Sequence, residues 1–143
     1  MDPRVLLAAV TAEPVESGAL LALVTQPAAG ASALFVGTVR DHDPQATGEV
    51  VGLDYTCHPS APERMGEIVS EVVASAGEDV RVAAVHRIGR LAVGEVAFVV
   101  AVSSAHRAQA FEVCERVVEQ VKRQLPIWKQ QFEADGSYRW SGL

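Results

Sequence analysis

Apolar residues recur along this chain with two different periods, and the switches between them mark out its elements. Arg4 to Thr11 is a short run rich in Val and Leu and reads as a strand. Val15 to Val24, behind Pro14 and ahead of Gln26-Pro27, predicts a short helix. A second strand is expected over Ala31 to Val39, ending at Arg40, with Gly37 marking a bulge or a close backbone approach. Val50 to Cys57 returns as a strand. His58-Pro59-Ser60-Ala61 then enters a helix from Pro62 to Ala76, where Met65, Ile68, Val69, Val72 and Val73 fall at helical spacing and Gly77 supplies the stop.

Val80 to Ile88 is the next strand. Val96 to Val102 is nearly continuous in apolar residues, the pattern of a strand buried on both faces. A long helix follows. Ala110, Phe111, Cys114, Val117, Val118, Val121 and Leu125 trace one apolar face, and Pro126 ends it. Ile127 to Phe132 and Tyr138 to Trp140 form a closing pair of strands across the Asp135-Gly136 turn. Strands and helices interleave without repeats or linkers. The fold class is α/β or α+β with a mixed sheet, in one domain over residues 1–143.

The charges on the last helix divide into two groups. Glu112, Arg116, Glu119 and Arg123 share a polar face at i, i+4 spacing and read as a solvated surface. Lys122 projects to the border of the apolar stripe and Arg107 near its middle, where a cation needs an anionic partner. His106 and Arg107 also open the helix, where free N–H groups and the dipole favour an anion. The alternative is an Arg that snorkels to the surface beside a capping Ser104.

Composition adds one pointed fact. Of 12 basic residues only Lys122 and Lys129 are lysines. Arginine keeps its proton in a protein whereas a desolvated lysine can release it, so amine chemistry belongs to these two positions, unless chance placed them there. A net charge of -6 argues against nucleic acid as a general partner, so an anionic ligand needs a local basic pocket. No apolar run approaches the roughly 20 residues of a membrane span, and the opening lacks a basic segment with a cleavage site, so a cytoplasmic location is expected. Cys57 and Cys114 match no zinc or redox spacing, and Cys114 reads as a small core residue. The polar loop from Asp41 to Gly48 begins Asp41-His42-Asp43, a triplet that suits a metal only with a second ligand cluster, and otherwise is a solvated loop.

Several local signatures then occur together. Phe35-Val-Gly-Thr-Val-Arg40, Leu53-Asp-Tyr55, His86-Arg-Ile-Gly89, Val93-Gly-Glu95, Ser104-Ala-His-Arg-Ala-Gln-Ala-Phe111, and Lys122 followed by Pro126-Ile-Trp-Lys129 closely resemble the large, catalytic subunit family of molybdopterin synthase, MoaE. The resemblance runs through nearly the whole chain in order. It implies an α/β hammerhead fold with an additional antiparallel β-subdomain. It also implies a sulfurtransferase of molybdenum cofactor biosynthesis that converts cyclic pyranopterin monophosphate into molybdopterin. The sulfur would arrive as a thiocarboxylate on the C-terminal Gly-Gly of a small ubiquitin-like partner, MoaD, within a heterotetramer built on a homodimer of the large subunit. No cofactor or metal is implied.

Carried over residue by residue, the resemblance assigns Lys122 and Lys129 as catalytic. Lys122 would serve the partner's tail and acid/base work, and Lys129 the substrate and proton transfer. Arg40, with His106 and Arg107 contributed by the other subunit, would hold the phosphate. Thr38, Val39, Gln130 and Gln131 flank these positions as substrate-binding residues, and Phe35 is a possible pocket lining. His86 and Arg87 match a family motif and are expected to be buried and hydrogen-bonded. After Tyr55 the family carries an acidic residue, where this chain has Thr56-Cys57-His58.

Two other classes remain for comparison. A non-catalytic module could dock a ubiquitin-like protein or an anionic ligand on the same fold, and the intact Lys122, Lys129, Arg40, His106 and Arg107 favour the enzyme over it. A metal or redox protein using Cys57, His58 and His42 has only neighbouring residues in its support.

Overall fold

The computed structural model describes every residue except Gln45 and Thr47, so those two members of the polar loop lie outside the described residues. In chain order the elements are β1 (Val5–Thr11), α1 (Ser17–Val24), β2 (Ala31–Thr38), β3 (Val50–Cys57), α2 (Ala61–Ala74), β4 (Arg81–Arg87), β5 (Gly89–Ala92), β6 (Val96–Ser104), α3 (Arg107–Gln124), β7 (Ile127–Glu133) and β8 (Tyr138–Gly142). They build two four-stranded sheets. The first has the order β1-β4-β6-β2, with β1 and β4 parallel and the other pairs antiparallel. The second, β5-β3-β7-β8, is antiparallel throughout.

The continuous apolar run of β6 has a direct physical cause. Side chains alternate along a strand, and both faces of the first sheet are covered. Phe98, Val100 and Val102, with Val82 and Ala84 of β4, pack under α2 and α3 through Met65, Ile68, Val69, Val113 and Val117. Val99 and Ala101, with Ala83 and Val85, pack under Leu20 and Val24 of α1. A strand covered on both faces has no polar side to show.

β5 answers no periodicity in the sequence. Its four residues pair only with β3, and Gly89 enters it at φ +96°, a left-handed turn that a side chain resists. Such a short edge strand exists because β3 offers it a partner. The bulge expected at Gly37 is present as a register shift against β6 between Gly37 and Thr38. The stop at Gly77 differs, since α2 ends at Ala74. Gly77 instead donates its N–H to Gln109 Oε1 at 2.8 Å, and a Cβ there would lie 2.6 Å from Asp79 Oδ1. The glycine makes room for a carboxylate rather than ending a helix.

That carboxylate fixes where α3 begins. Asp79 accepts from the Ala105 N–H at 2.7 Å and from Ser104 Oγ at 3.0 Å, while Gln109 Nε2 approaches it from the first turn. These donors hold its pKa below the ordinary carboxylate value. Ser104 is therefore tied to Asp79, and His106 stands at the N-cap without a side-chain cap bond. Phe111 departs from the expected apolar face, being 66% exposed, and Val113 occupies the core in its place. Arg116 turns from Glu112 to α2, donating to Ser75 Oγ at 2.9 Å. Among the described residues no helix is long and apolar enough to cross a membrane.

Candidate active site

Residues of both sheets, with the end of β2 and the far end of α3, line a cavity of about 320 Å³. That volume lies at the lower end of the range of small-molecule sites. Each wall has a definite source. β2 and the residues beyond it supply Phe35, Thr38, Val39 and Arg40; β7 supplies Lys129 and Gln131; the far end of α3 supplies Lys122. β3 contributes Leu53 and Tyr55, and the first sheet contributes His86 and Phe98.

Strand alternation decides which side chains of β7 enter. Lys129 and Gln131 point to the cavity, whereas Gln130 belongs to the other face, opposite Trp140 in register. Of the residues read from the sequence, Phe35, Thr38, Val39, Arg40, Lys122, Lys129 and Gln131 are thus brought together, and Gln130 lies outside this cavity. His106 and Arg107 also lie outside it. Both are exposed at the start of α3, and 15 helical positions separate Arg107 from Lys122, about 22 Å at the helical rise. Arg107 is accordingly exposed and not on the buried stripe where projection set it; the buried positions of α3 begin at Ala110.

The cations of the site sit in unlike surroundings. Lys122 and Arg40 are exposed at the mouth. Lys129 is enclosed, with its Nζ 3.4 Å from Asp43 Oδ2 and the two side chains 21% and 11% exposed. The loop that brings Asp43 in is pinned at its end: the Gly48 N–H donates to Glu133 Oε1 at 2.6 Å and the Val50 N–H to Asp41 O at 2.9 Å. Of the Asp41-His42-Asp43 triplet, only Asp43 reaches the cavity. No cluster of three metal-ligating side chains occurs among the described residues.

The floor is aromatic and uncharged. His86, 2% exposed, stacks on Phe98 at 5.3 Å and meets the Tyr55 ring edge-on at 4.9 Å. Phe35 adds an edge contact to Phe98 at 5.7 Å. Burial pushes the Tyr55 phenol up to about 12 and the His86 imidazole down to about 4, so both are neutral near pH 7. Arg87, next along β4, turns away to Glu95 Oε2 at 2.6 Å and braces the corner between β4 and β6. Gln131 lines the cavity, and its Nε2 is buried without a protein partner. Sequence reading weighed Asp43 only as part of a metal triplet or a solvated loop, and singled out neither Tyr55 nor Phe98 as a site residue, although Tyr55 stands in one of the quoted signatures.

The sequence pattern of the family described as "MoaE protein" matches residues 10–124 of this chain. The chain is 36% identical over 133 residues to molybdopterin synthase catalytic subunit 1 of Mycobacterium tuberculosis, covering 93% of this chain and 88% of that one. The chain belongs to the MoaE family. Among solved structures, molybdopterin synthase from Staphylococcus aureus superposes with a TM-score of 0.85 at 28% identity, covering 95% of this chain and 97% of that one. A protein-protein complex of subunits 1 and 2 of molybdopterin-converting factor from Helicobacter pylori superposes at 0.67, covering 96% and 90%; its 19% identity speaks for the fold alone. The mixed α+β architecture with two sheets is therefore that of MoaE structures. The MoaE role is that of the catalytic, sulfur-transferring subunit of molybdopterin synthase in molybdenum cofactor biosynthesis.

Proposed function

We propose that the cavity between the two sheets takes cyclic pyranopterin monophosphate and the C-terminal Gly-Gly thiocarboxylate of a small ubiquitin-like partner, MoaD, and that Lys122 and Lys129 serve the transfer of sulfur between them. The observation that carries this reading is the convergence of the chain's two lysines, from α3 and from β7, onto one cavity with Arg40. In each transfer the thiocarboxylate sulfur bonds to a carbon of the precursor as a carbon–oxygen bond there breaks. Water then hydrolyses the acyl–sulfur bond to leave the partner's tail as a carboxylate, and two such transfers place both sulfurs of the dithiolene. Lys122, at the open mouth, is placed to neutralise an incoming carboxylate-like tail and to polarise its carbonyl. Lys129, deeper and paired with Asp43, holds the substrate and moves protons as carbon–oxygen bonds give way to carbon–sulfur bonds.

His106 and Arg107 enter the same reading through a second copy of the chain. Exposed at a helix N-terminus, they suit a phosphate, and their distance from Lys122 puts them beyond the reach of their own cavity. A homodimer that sets the start of one α3 beside the other's cavity supplies the missing anion site, and two partner subunits make it a heterotetramer. The Helicobacter pylori structure is a complex of subunits 1 and 2 of molybdopterin-converting factor, which is in keeping with a partner subunit and no more.

Incubation of the purified chain with the precursor and a thiocarboxylated partner, followed by an assay for the dithiolene product, tests the reading. Product formed only with both is expected. A chain that binds the partner but forms no product would be a docking module instead.

A further inference from the structure

His86 is a buried titratable side chain of the cavity, and the proposed chemistry gives it no task. Its surroundings are unusually complete on one side and open on the other. Nδ1 lies 2.7 Å from the Arg87 carbonyl oxygen. A carbonyl only accepts, so Nδ1 carries the ring proton, and in the neutral imidazole Nε2 is left as a bare acceptor. The ring cannot swing away, because Phe98 stacks on one face and Tyr55 presses edge-on. No described residue donates to Nε2, nor is it among the buried polar atoms sealed off without a partner. His86 borders the cavity.

Resting on the proposed function, we infer that His86 is a substrate-recognition residue whose Nε2 accepts a hydrogen bond from an N–H of the precursor's neutral ring system. The cations at the mouth read the charged groups. His86 reads the heterocycle, from the aromatic floor of the same cavity. Burial, assisted by the charge of Lys122, keeps the imidazole from protonating, which preserves its acceptor at neutral pH. A floor of this kind discriminates by the cost of an unmet donor: a ligand lacking the N–H leaves nothing to bond, and a substrate facing a mute floor buries its N–H unpaired.

Two measurements test this together. In the intact chain labelled with ¹⁵N-histidine, the His86 signals should report a neutral ring protonated on Nδ1, and the Nε2 resonance should move when precursor is added. His86→Phe keeps the stacking and loses the acceptor; it should raise KM for the precursor about tenfold or more with a smaller change in kcat. His86→Gln, which restores an acceptor, should recover part of the loss. An Nε2 signal unmoved by bound precursor, or an unchanged KM in His86→Phe, would overturn the inference while product formation by the parent left the proposed function standing. A parent chain that neither binds nor converts the precursor would instead remove both. The labelled parent gives its answer even where a variant does not fold.

Discussion

Lys129 Nζ and Asp43 Oδ2 stand 3.4 Å apart, so the inner ammonium of the cavity has a carboxylate beside it before any anion arrives. A ligand that uses Lys129 must share it with Asp43 or displace it.

Asp43→Asn should therefore tighten binding of the anionic precursor, by about threefold for a partly enclosed pair. Isothermal titration at two salt concentrations checks this, with the gain smaller at high salt. Weaker binding by the variant would make Asp43 a support of the lysine rather than a competitor.

Lys122→Arg keeps the positive charge and, at an exposed position, the fold. It should lower molybdopterin formation by roughly a hundredfold or more, because a guanidinium does not release a proton. Turnover at the parent rate would mean that charge alone is required.

Arg107→Ala should weaken precursor binding by about tenfold while leaving affinity for the small partner nearly unchanged. The two titrations read the two effects separately. Equal precursor binding by variant and parent would remove Arg107 from the phosphate site, and with it the main argument for a cavity shared across a dimer.

His86 also sets a pH dependence of stability. Its folded pKa, about 4, lies below the ordinary value of 6.5 because burial disfavours the charged ring. The unfolded chain thus binds the extra proton first, and stability is complete above pH 6.5 and falls as the pH drops toward 4. The loss amounts to about 3 kcal/mol across that window. Thermal melting between pH 7 and 4 should show this limb in the parent and a flatter one in His86→Phe.

Much of the fold is legible in local pattern. β6 reads as buried on both faces because alternation is lost over Val96–Val102, and α1 and the α2–α3 layer supply the two covers. β5 does not read at all, since four residues carry no period and the pairing with β3 alone creates the strand. Phe111 misleads for a related reason: it lies at one border of the helical stripe, and packing between elements buries Val113 at the other border instead.

The site divides in the same way. Sequence by itself determined which side chains have chemistry to offer: two lysines among ten arginines, a run ending at Arg40, and a histidine with an arginine opening a helix. It also determined their family, through six ordered signatures. Only the tertiary structure decided which of them meet. Lys122, Lys129 and Arg40 come from three elements into one cavity, whereas Arg107 is carried about 22 Å from Lys122 by the rigidity of the helix they share. His86 changes from an unassigned motif residue into the floor of that cavity, and Asp43 from a loop residue into the neighbour of Lys129. Periodicity reports how a residue faces relative to its own element. Which elements then adjoin depends on contacts between distant parts of the chain, and that is where the cavity is made.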